Sequence, residues 1–378
     1  MRDVYIVSAV RSAIGKKNGV FSDTHAVDLM APILCEAVER AGIETHMVED
    51  VILGCVTPVE EQGANVARTS LIQAGFPVSV PGVTLNRMCG SGQQAVHFAA
   101  QAILAGDMDI AIGGGIEHMT RVRMGSDRPQ DGIPNWPFDW VHQGESAEML
   151  AEKWDLSRVD LDDYSYQSHL NAGAAIKAGY FDREIMPMVV AYDDQMVNAS
   201  VDEGVRIPPD REKMAALPPA FQADGVVTAA NSSQISDGAA ALVLASDEAV
   251  KAHGLTPRAR VVARVVVADD PVMMLTAPIP ATRKVLDKAG LTLADIDLIE
   301  INEAFASVVL AWEKEIGPDM SKVNVNGGAI ANGHPLGASG AKLMTTLLHE
   351  LERREGRYGL QTMCIGHGMA TATIIERV

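Results

Sequence analysis

Apolar residues in the first third of the chain occur in short runs that alternate with helical patterns. The runs at 4–10, 50–56 and 108–113 predict buried β-strands. Residues 26–41 and 91–105 have the spacing of helices, and the second is rich in small side chains that suit close packing. Strands that alternate with helices predict a layered α/β fold.

The last third of the chain returns to the same kind of pattern. Residues 258–268 predict a strand, and residues 303–316 and 341–354 have the apolar period of helices. Residues 361–376 alternate as two short strands around a glycine-rich turn. The last part of the chain is therefore expected to return to an α/β arrangement that ends in a hairpin.

The middle of the chain is less regular. Residues 121–145 are rich in Trp, Pro, Gly and Asp, and residues 200–222 contain two Pro-Pro pairs. Helical patterns at 144–154 and 160–179 lie between these segments. This composition predicts a loop-rich lobe inserted into the α/β fold.

The two α/β parts resemble each other. Residues 83–104 and 323–348 both predict a strand, a sharp turn and a helix, which indicates a duplicated unit with a pseudo-two-fold axis between the halves. We expect three divisions, which are a first half at 1–117 plus 236–257, an inserted loop domain at 118–235, and a second half at 258–378.

Charge and hydropathy exclude several functional classes. The 31 Lys and Arg against 49 Asp and Glu give a net charge of −18, which argues against nucleic-acid partners and anionic membrane surfaces. We see no apolar stretch of about 18 residues that would cross a membrane, and no secretory signal in the first ten residues.

Four cysteines are scattered over the sequence, at positions 35, 55, 89 and 364. None has CxxC or Cys/His ligand spacing, so we expect free thiols, no metal site and a reducing, cytoplasmic location. Each thiol is either core filler or a reactive group.

Cys89 lies in the motif NRMCGSG at 86–92, between a predicted strand and a predicted helix. A thiol at a helix N-terminus feels the positive end of the helix dipole, which favours the thiolate and lowers the pKa. The N–H groups exposed there can also hold an oxyanion. The alternative is a buried structural cysteine at a tight turn.

Two histidines and a second cysteine lie in glycine-rich turns of the second half. His334 precedes a predicted helix at the place that matches Cys89, and could activate that thiol or only form a loop hydrogen bond. Cys364 lies in the hairpin turn CIGHG, where it could be an acid/base or have no role. His367 could tune Cys364 or face solvent.

Asn302 begins the motif NEAF at a predicted strand end that opens a helix. Its side chain could cap that helix, or fix a water or carbonyl in an active site. From this motif alone the cap is the simpler interpretation.

Five motifs in order along the whole chain resemble those of the thiolase family. They are NRMCGSG at 86–92, NSSQISDGAA at 231–240, NEAF at 302–305, NGGAIANGHPLGASG at 326–340 and CIGHG at 364–368. The resemblance implies a five-layered α-β-α-β-α thiolase fold with the inserted lobe covering a coenzyme A site.

The resemblance also implies an activity and residue roles. Thiolases cleave a 3-ketoacyl-CoA with CoA to acetyl-CoA and a shortened acyl-CoA, or run the reverse Claisen condensation. On the matching positions Cys89 is the nucleophile, His334 its activator, Asn302 holds a water, and Cys364 moves the alpha proton. The N–H groups of Cys89 and Gly366 form an oxyanion hole.

Acyl-CoA and CoA are the implied substrates, with no resident cofactor, and the family forms homodimers or homotetramers. Contacts to CoA and the acyl chain carry over to Ser233 beside the pantetheine, Arg206 at the nucleotide end, His142 on the covering loop, and Met274 and Phe305 in the acyl pocket. The implied context is fatty acid beta-oxidation or related lipid metabolism.

One departure concerns acyl specificity. Acetoacetyl-CoA thiolases usually have HMG where this chain has His142-Gln143-Gly144, and the preceding loop is shorter here. We therefore expect longer or bulkier 3-ketoacyl chains, including the sterol side-chain type, with acetoacetyl-CoA specificity as the alternative. Cys364 argues against a ketosynthase or 3-hydroxy-3-methylglutaryl-CoA synthase relative. A catalytically silent lipid-binding scaffold would be expected to lose Cys89, His334 or Cys364.

Overall fold

Twelve β-strands and eleven α-helices form the computed structural model, which describes residues 2–129 and 132–378. The strands are β1 (Val4–Arg11), β2 (Gly15–Lys16), β3 (Asp50–Gly54), β4 (Gly82–Leu85), β5 (Ile110–His118), β6 (Met188–Tyr192), β7 (Gln195–Ala199), β8 (Ser236–Ser246), β9 (Ala259–Ala268), β10 (Leu298–Ile301), β11 (Tyr358–Ile365) and β12 (Met369–Arg377). The helices are α1 (Ala26–Ala41), α2 (Val66–Gln73), α3 (Ser91–Ala105), α4 (Gln143–Lys153), α5 (Arg158–Lys177), α6 (Arg211–Ala215), α7 (Asp247–His253), α8 (Pro278–Ala289), α9 (Ala306–Ile316), α10 (Ala329–Asn332) and α11 (Leu336–Arg354).

The strands of both halves form one hydrogen-bonded ladder in the order β10-β11-β12-β9-β1-β8-β5-β3-β4, with β2 beside β8. Strand β3 is parallel to β4 and β5, and β10 is parallel to β11. In this ladder the strands of the two halves meet where Tyr5 and Ile6 of β1 pair with Arg260 and Ala259 of β9. Strand β8 inserts between β1 and β5 after the intervening lobe.

Helices cover both strand sets and also separate them. Helices α1 and α2 pack on the strands of the first half, and α8 packs on β9 and β12 of the second half. Helices α3 and α11 contact each other and neighbouring strands. Helix α11 contacts β5 and β8 as well as β10 and β11. The order helix, sheet, helix, sheet, helix is the predicted five-layered arrangement.

The central helices α3 and α11 approach closely because glycines face each other. A Cβ on Gly340 of α11 would lie 2.2 Å from the backbone nitrogen of Gln93, and one on Gly92 of α3 would lie 2.7 Å from the carbonyl oxygen of Gly337. Residues 336–351 of α11 are all buried. This layer carries the first turns of both helices into the middle of the molecule.

The predicted elements are confirmed with small shifts in their ends, except for one strand. Residues 323–326 form only an isolated bridge from Val323 to Ile299, so the predicted strand before His334 is wrong. The side-chain amide of Asn324 accepts from the N–H of Ile301 and donates to its carbonyl. That side chain makes the two hydrogen bonds that a neighbouring strand's backbone would make.

The predicted lobe contains more regular structure than its proline content indicated. Residues 118–235 hold α4, α5, the short α6 and the β6-β7 hairpin, joined by long loops. In the ranges 2–129 and 132–378, no helix combines the length and apolar character needed to cross a membrane. The division into three domains stays a prediction.

Candidate active site

Cys89 lies in the tight turn that joins β4 to α3, as predicted. The preceding residue, Met88, has a φ of 45°, in the left-handed region that closes such turns. A Cβ on Gly90 would lie 2.2 Å from Cδ1 of Ile365, the last residue of β11. The turn of the first half therefore packs directly against the end of β11 in the second half.

Three N–H groups favour a thiolate on Cys89. They are its own backbone N–H, the side-chain amide of Gln143 at the start of α4, and the backbone N–H of Gly366, which begins the turn between β11 and β12. A Cβ on Gly366 would lie 2.5 Å from Sδ of Met88 and 3.3 Å from Nε2 of Gln143. A side chain at position 366 would therefore displace the side chain of Met88.

The protonation state of Cys89 differs from the prediction. Burial raises the pKa of the thiol to about 11, and the N–H groups that contact the sulfur oppose this only in part. The predicted lowering of the pKa is wrong for the unliganded protein, because the cost of burying a thiolate exceeds the help from the helix N-terminus. Cys89 is a neutral thiol at neutral pH.

Cys364 lies next to Cys89, near the end of β11. Burial, and then the proximity of the Cys89 sulfur, raise the pKa of Cys364 well above its ordinary value. Its side chain is 1 % exposed and packs with Met274, Phe305 and Ile330. The second cysteine is also a neutral thiol, which can donate a proton to an anion formed beside it.

His334 is held in one tautomer by its neighbours. Its Nδ1 lies 2.6 Å from Oγ of Ser339, and that hydroxyl lies 2.8 Å from the carbonyl oxygen of Pro335. Both contacts are satisfied when Nδ1–H donates to Oγ and the hydroxyl donates to the carbonyl, which leaves Nε2 as an acceptor. Burial, together with the nearby Lys342, lowers the pKa of His334 to about 4, so the ring is neutral.

Asn302 places its side chain against that imidazole. Its Nδ2 lies 3.3 Å from Nε2 of His334, and its backbone N–H donates to the carbonyl of Thr362 in β11. The capping interpretation is wrong, because α9 has Phe305 as its N-cap and no side-chain cap. Among residues 2–129 and 132–378, Oδ1 of Asn302 is buried and has no hydrogen-bond partner.

The five predicted catalytic residues thus form two groups that share β11. Cys89, Cys364 and Gly366 form the first group, and His334 and Asn302 form the second. The backbone pairing of β10 with β11 joins them. No hydrogen bond links the Cys89 sulfur to the His334 ring within the described parts of the chain.

A cavity of about 220 Å³, called the acyl cavity below, opens beside Cys89. Three predicted residues line it, which are His142, Met274 and Gly366. Its remaining walls are formed by Met88, Arg128, Trp140, Val141, Gln143, Glu145 and His367. Since Gln143 and Gly366 also contact the Cys89 sulfur, a group bound to that sulfur would extend into this space.

Other predicted contact residues surround the same region. The His142 ring stacks on Phe221 at 5.3 Å, and its Nδ1 accepts the N–H of Gly144 at the start of α4. Phe305 is buried and meets Phe221 edge-on at 5.9 Å. The half-buried Ser233 donates its backbone N–H to the carbonyl of Ala304.

Arg206 lies at a different cavity of about 430 Å³, called the lobe cavity below. The exposed Arg206 shares its lining with Lys213, Pro208 and Ile330. Two cationic side chains at the opening suit a phosphate-bearing ligand. Ile330 of the lobe cavity and Met274 of the acyl cavity belong to the same apolar cluster as Cys364.

His367 neither contacts Cys364 by a hydrogen bond nor simply faces solvent. It is half-buried, with a φ of 61°, and its ring lies 5.7 Å from the ring of Trp136 and 5.2 Å from that of Trp140. His367 therefore connects the turn between β11 and β12 to the loop that contains Trp136 and Trp140.

Sequence reasoning missed three residues that build the site. Of the three, Gln143 acts most directly on the Cys89 thiol. The sequence feature that could have indicated it was the departure from HMG at His142-Gln143-Gly144. Glu117 accepts N–H groups of Val56 and Gly337, and so joins the two halves behind Cys89. Glu303 accepts from Tyr164, Ser168 and the N–H of Ile330, as well as Asn324. Buried carboxylates held by several donors are not detectable from single motifs.

The arrangement is suited to acyl transfer. It combines a thiol that can carry an acyl group, N–H donors for the oxyanion of a tetrahedral intermediate, a second thiol that can exchange a proton, and a neutral imidazole.

Comparisons with known proteins agree with this chemistry. The N-terminal domain model of the thiolase family matches residues 4–248, and its C-terminal domain model matches residues 255–377. A steroid 3-ketoacyl-CoA thiolase of Mycobacterium tuberculosis is 50 % identical, over 100 % of this chain and 95 % of the relative. A beta-ketoadipyl-CoA thiolase of Pseudomonas putida is 42 % identical over 100 % of both chains.

A solved structure is also similar over its full length. The acetyl-CoA acetyltransferase of Bacillus anthracis superimposes with a TM-score of 0.94 at 41 % identity, covering 100 % of this chain and 99 % of that one. The predicted thiolase fold is confirmed. Matched along both halves, in fold and in sequence, the chain belongs to the thiolase family of acyltransferases.

Proposed function

We propose that this enzyme cleaves a 3-ketoacyl-CoA with CoA, giving acetyl-CoA and a shortened acyl-CoA through a thioester on Cys89. The observation that carries this proposal is the Cys89 sulfur, which receives the N–H of Gly366 and lies beside Cys364. The Cys89 sulfur attacks the 3-keto carbon, and the bond between C2 and C3 breaks. The electron pair leaves on the enolate of acetyl-CoA. The reverse sequence is a Claisen condensation.

His334 supports the first attack as the base. Because the imidazole and the thiol are both neutral, the proton leaves Cys89 as the sulfur attacks rather than beforehand. The N–H groups of Cys89 and Gly366 hold the oxyanion formed at the 3-keto oxygen. Each such donor is worth roughly 3–4 kcal/mol in other oxyanion holes.

Asn302 and His334 form the second site for negative charge, at the thioester oxygen of the departing enolate. The free Oδ1 of Asn302 favours the assignment of a held water there, within the described residues. Cys364 protonates the enolate carbon, and in condensation its thiolate removes the same proton. Its burial beside Cys89 supports this exchange.

The second half of the reaction transfers the acyl group from Cys89 to CoA. The CoA thiol gives its proton to the Cys364 thiolate as its sulfur attacks the Cys89 thioester, and the Cys89 sulfur leaves and takes back the proton held by His334. Thiol exchange between two thioesters is nearly isoenergetic, so no resident cofactor is required. Arg206 and Lys213 at the lobe cavity are placed to receive CoA phosphates, with Ser233 nearer the pantetheine.

Longer or bulkier 3-ketoacyl chains are the proposed substrates, in a degradative, beta-oxidation type of lipid metabolism. Gln143 lines the acyl cavity where acetoacetyl-CoA thiolases have Met, and the relative from Mycobacterium tuberculosis is named for steroid substrates. Acetoacetyl-CoA specificity is the alternative, since relatives that are 42 % and 43 % identical are named acetyl-CoA acetyltransferases.

We propose that the enzyme is a cytoplasmic homodimer or homotetramer. The edge strand β4 lacks a partner on one side among the described residues, and its Val83 is 44 % exposed. Phe98 of α3 is also exposed, at 41 %. An edge strand and a helix that both expose apolar side chains favour pairing with a second copy. Light scattering of the purified chain measures this state.

Product analysis tests the proposed reaction. Full-length enzyme with CoA and a panel of 3-ketoacyl-CoA substrates from acetoacetyl to steroid-sized chains should give acetyl-CoA and the shortened acyl-CoA in equal amounts. Cys89→Ser should lose this turnover, and Cys35→Ser, which alters an exposed thiol, should keep it. Binding of acyl-CoA without product would instead support a silent scaffold.

A further inference from the structure

Glu117 is a buried carboxylate near Cys89 to which the proposed mechanism gives no role. It is the second-last residue of β5 and is 0 % exposed. Its Oε2 accepts the N–H of Val56 at 2.7 Å and the N–H of Gly337 at 2.9 Å. Val56 follows β3 of the first half, and Gly337 lies in the first turn of α11 in the second half. One oxygen atom therefore joins the two halves of the molecule.

The other oxygen of Glu117 is also held by donors. Oε1 accepts the N–H of Thr57 at 3.1 Å and the side-chain amide of Gln62 at 3.1 Å. Four N–H donors suit an ionised carboxylate, and the first turn of α11 adds the positive end of its helix dipole. These contacts need an acceptor at both oxygens, which a glutamine at this position could not supply.

The two backbone groups that share Oε2 belong to segments that pack on Cys89. Val56, and Leu336 at the start of α11, lie with Cys89 in one apolar cluster. Glu117 thus fixes two segments on which the Cys89 side chain rests.

Val56 is also connected to the turn that contains Cys89. Its carbonyl accepts the side-chain amide of Asn86 at 2.8 Å, and Oδ1 of Asn86 accepts the N–H of Met88 at 2.7 Å. Three hydrogen bonds in sequence therefore lead from the Glu117 carboxylate to the residue before Cys89.

The first turn of α11 has little room to shift. A Cβ on Gly337 would lie 2.5 Å from the carbonyl oxygen of Ile116 and 2.7 Å from that of Gly54. The same helix carries Ser339, whose Oγ lies 2.6 Å from Nδ1 of His334. A movement of this turn against the first half would therefore move the His334 ring as well.

We propose that Glu117 is a positioning residue for the acylation of Cys89, because its carboxylate sets the placement of the Cys89 sulfur relative to the His334 ring. This inference rests on the proposed thiolase reaction, in which the proton passes from that sulfur to Nε2 of His334. The two groups come from different halves, so their separation depends on contacts between the halves. A misplacement of about 1 Å can cost roughly 10²-fold in rate.

Glu117 should matter for one partial reaction and not for another. Acylation pairs groups of the two halves, Cys89 and His334. Exchange of the alpha protons of acetyl-CoA uses Cys364, Asn302 and His334, which all lie in the second half. A shift between the halves therefore slows acylation and spares proton exchange, whereas a general loosening of the fold would slow both.

Two rates measured on the same full-length enzyme test this inference. Acylation is the burst of CoA released from acetyl-CoA in a single turnover, and alpha-proton exchange is followed by NMR in deuterated water. Glu117→Gln should lower the acylation rate roughly 10²-fold and leave the exchange rate within about threefold. Asn86→Ala, at an exposed link of the same path, should lower acylation roughly tenfold with exchange again preserved. That variant decides the question if Glu117→Gln does not fold.

Glu203→Gln is the matched control. Oε2 of Glu203 also accepts two backbone N–H groups, from Lys16 at 3.1 Å and from Val20 at 2.9 Å. Within the described residues, neither of these belongs to the apolar cluster of Cys89. The control should keep both rates.

The two proposals fail in different ways. Equal losses of the two rates in Glu117→Gln or Asn86→Ala, or an unchanged acylation rate, would overturn the role of Glu117. Wild-type enzyme that shows neither a burst of CoA nor proton exchange would disprove the proposed reaction itself.

Discussion

The side-chain nitrogen of Asn302 lies 3.3 Å from Nε2 of His334, although Asn302 follows β10 and His334 precedes α11. Oγ of Ser339 lies 2.6 Å from the other ring nitrogen, so each nitrogen of the imidazole has a hydrogen-bond partner. These two contacts fix the tautomer in which Nε2 accepts a proton. A base that is already oriented loses little entropy when the substrate arrives.

Removing the Asn302 amide should slow the chemical step. Asn302→Ala should lower kcat about 10²–10³-fold, as for other donors that stabilise an oxyanion, and change KM much less. Steady-state kinetics with a 3-ketoacyl-CoA and CoA measures this. Asn198→Ala, on the exposed β7, is the control and should be silent. A rise in KM alone would mean that Asn302 serves only in binding.

Gln143 should tune the Cys89 thiol. Gln143→Met removes a hydrogen bond that favours the thiolate, so the pKa of Cys89 should rise further above about 11, by roughly one unit or more. At a fixed pH below that value, alkylation of Cys89 by iodoacetamide should slow about tenfold, as followed by peptide mass spectrometry.

The alkylation experiment has its own control in Gln195→Met, which alters an exposed amide on β7. That variant should match the wild type in the rate at Cys89. Equal alkylation rates for wild type and Gln143→Met at every pH would contradict a hydrogen bond from Gln143 to the sulfur.

The two catalytic thiols should be separable by mutation. Cys364→Ala should stop condensation and exchange of the alpha protons of acetyl-CoA with deuterated water, because Cys364 is assigned to move that proton. Some acylation of Cys89 should survive, since His334 and the N–H donors remain. Proton exchange by NMR and acylation by mass spectrometry give the two readouts. If Cys364→Ala failed at acylation as completely as Cys89→Ser, the assigned role would be wrong.

Buried histidines should make the fold sensitive to acid. His97 lies 2.7 Å from Oγ1 of Thr373, and burial is the main cause that lowers its pKa to about 3. Between about pH 6.5 and pH 3 the unfolded chain binds a proton here and the folded chain does not. The free energy of unfolding should therefore fall as pH drops through that window, by up to about 1.4 kcal/mol per unit from this residue.

His97→Gln should remove that part of the pH dependence. Urea unfolding at neutral pH and near pH 5 should show a smaller loss of stability for the variant than for the wild type. His253→Gln, at the exposed end of α7, should leave the dependence unchanged. Identical losses for wild type and His97→Gln would contradict a histidine that stays neutral when folded.

Much of the fold followed from the sequence, because periodic elements carry their own signal. Helices 26–41 and 91–105 have the predicted bounds, and the C-terminal hairpin turns at the predicted glycines. The strand predicted at 323–326 failed because the Asn324 side chain replaces its backbone hydrogen bonds to Ile301. Such a substitution depends on tertiary contacts that no local pattern contains.

The structure brings several of the predicted site residues close together, but the sequence did not predict their electrostatics. The position of Cys89 at a helix start suggested a lowered pKa, but the burial created by the second half has the larger effect. Ile365 and Gly366 come against Cys89 only after both halves have packed. Gln143 reaches the sulfur from the inserted lobe, so its role required the three-dimensional structure.

The most direct test of the central claim is the mass of Cys89 itself in a single turnover. Enzyme mixed with excess acetyl-CoA, and quenched in acid before CoA is added, should release a burst of CoA equal to the enzyme concentration. The peptide that contains Cys89 should gain the mass of one acetyl group, and adding CoA should remove it. A burst without that mass on Cys89, or an acetyl group on Cys364 instead, would contradict the proposed thioester.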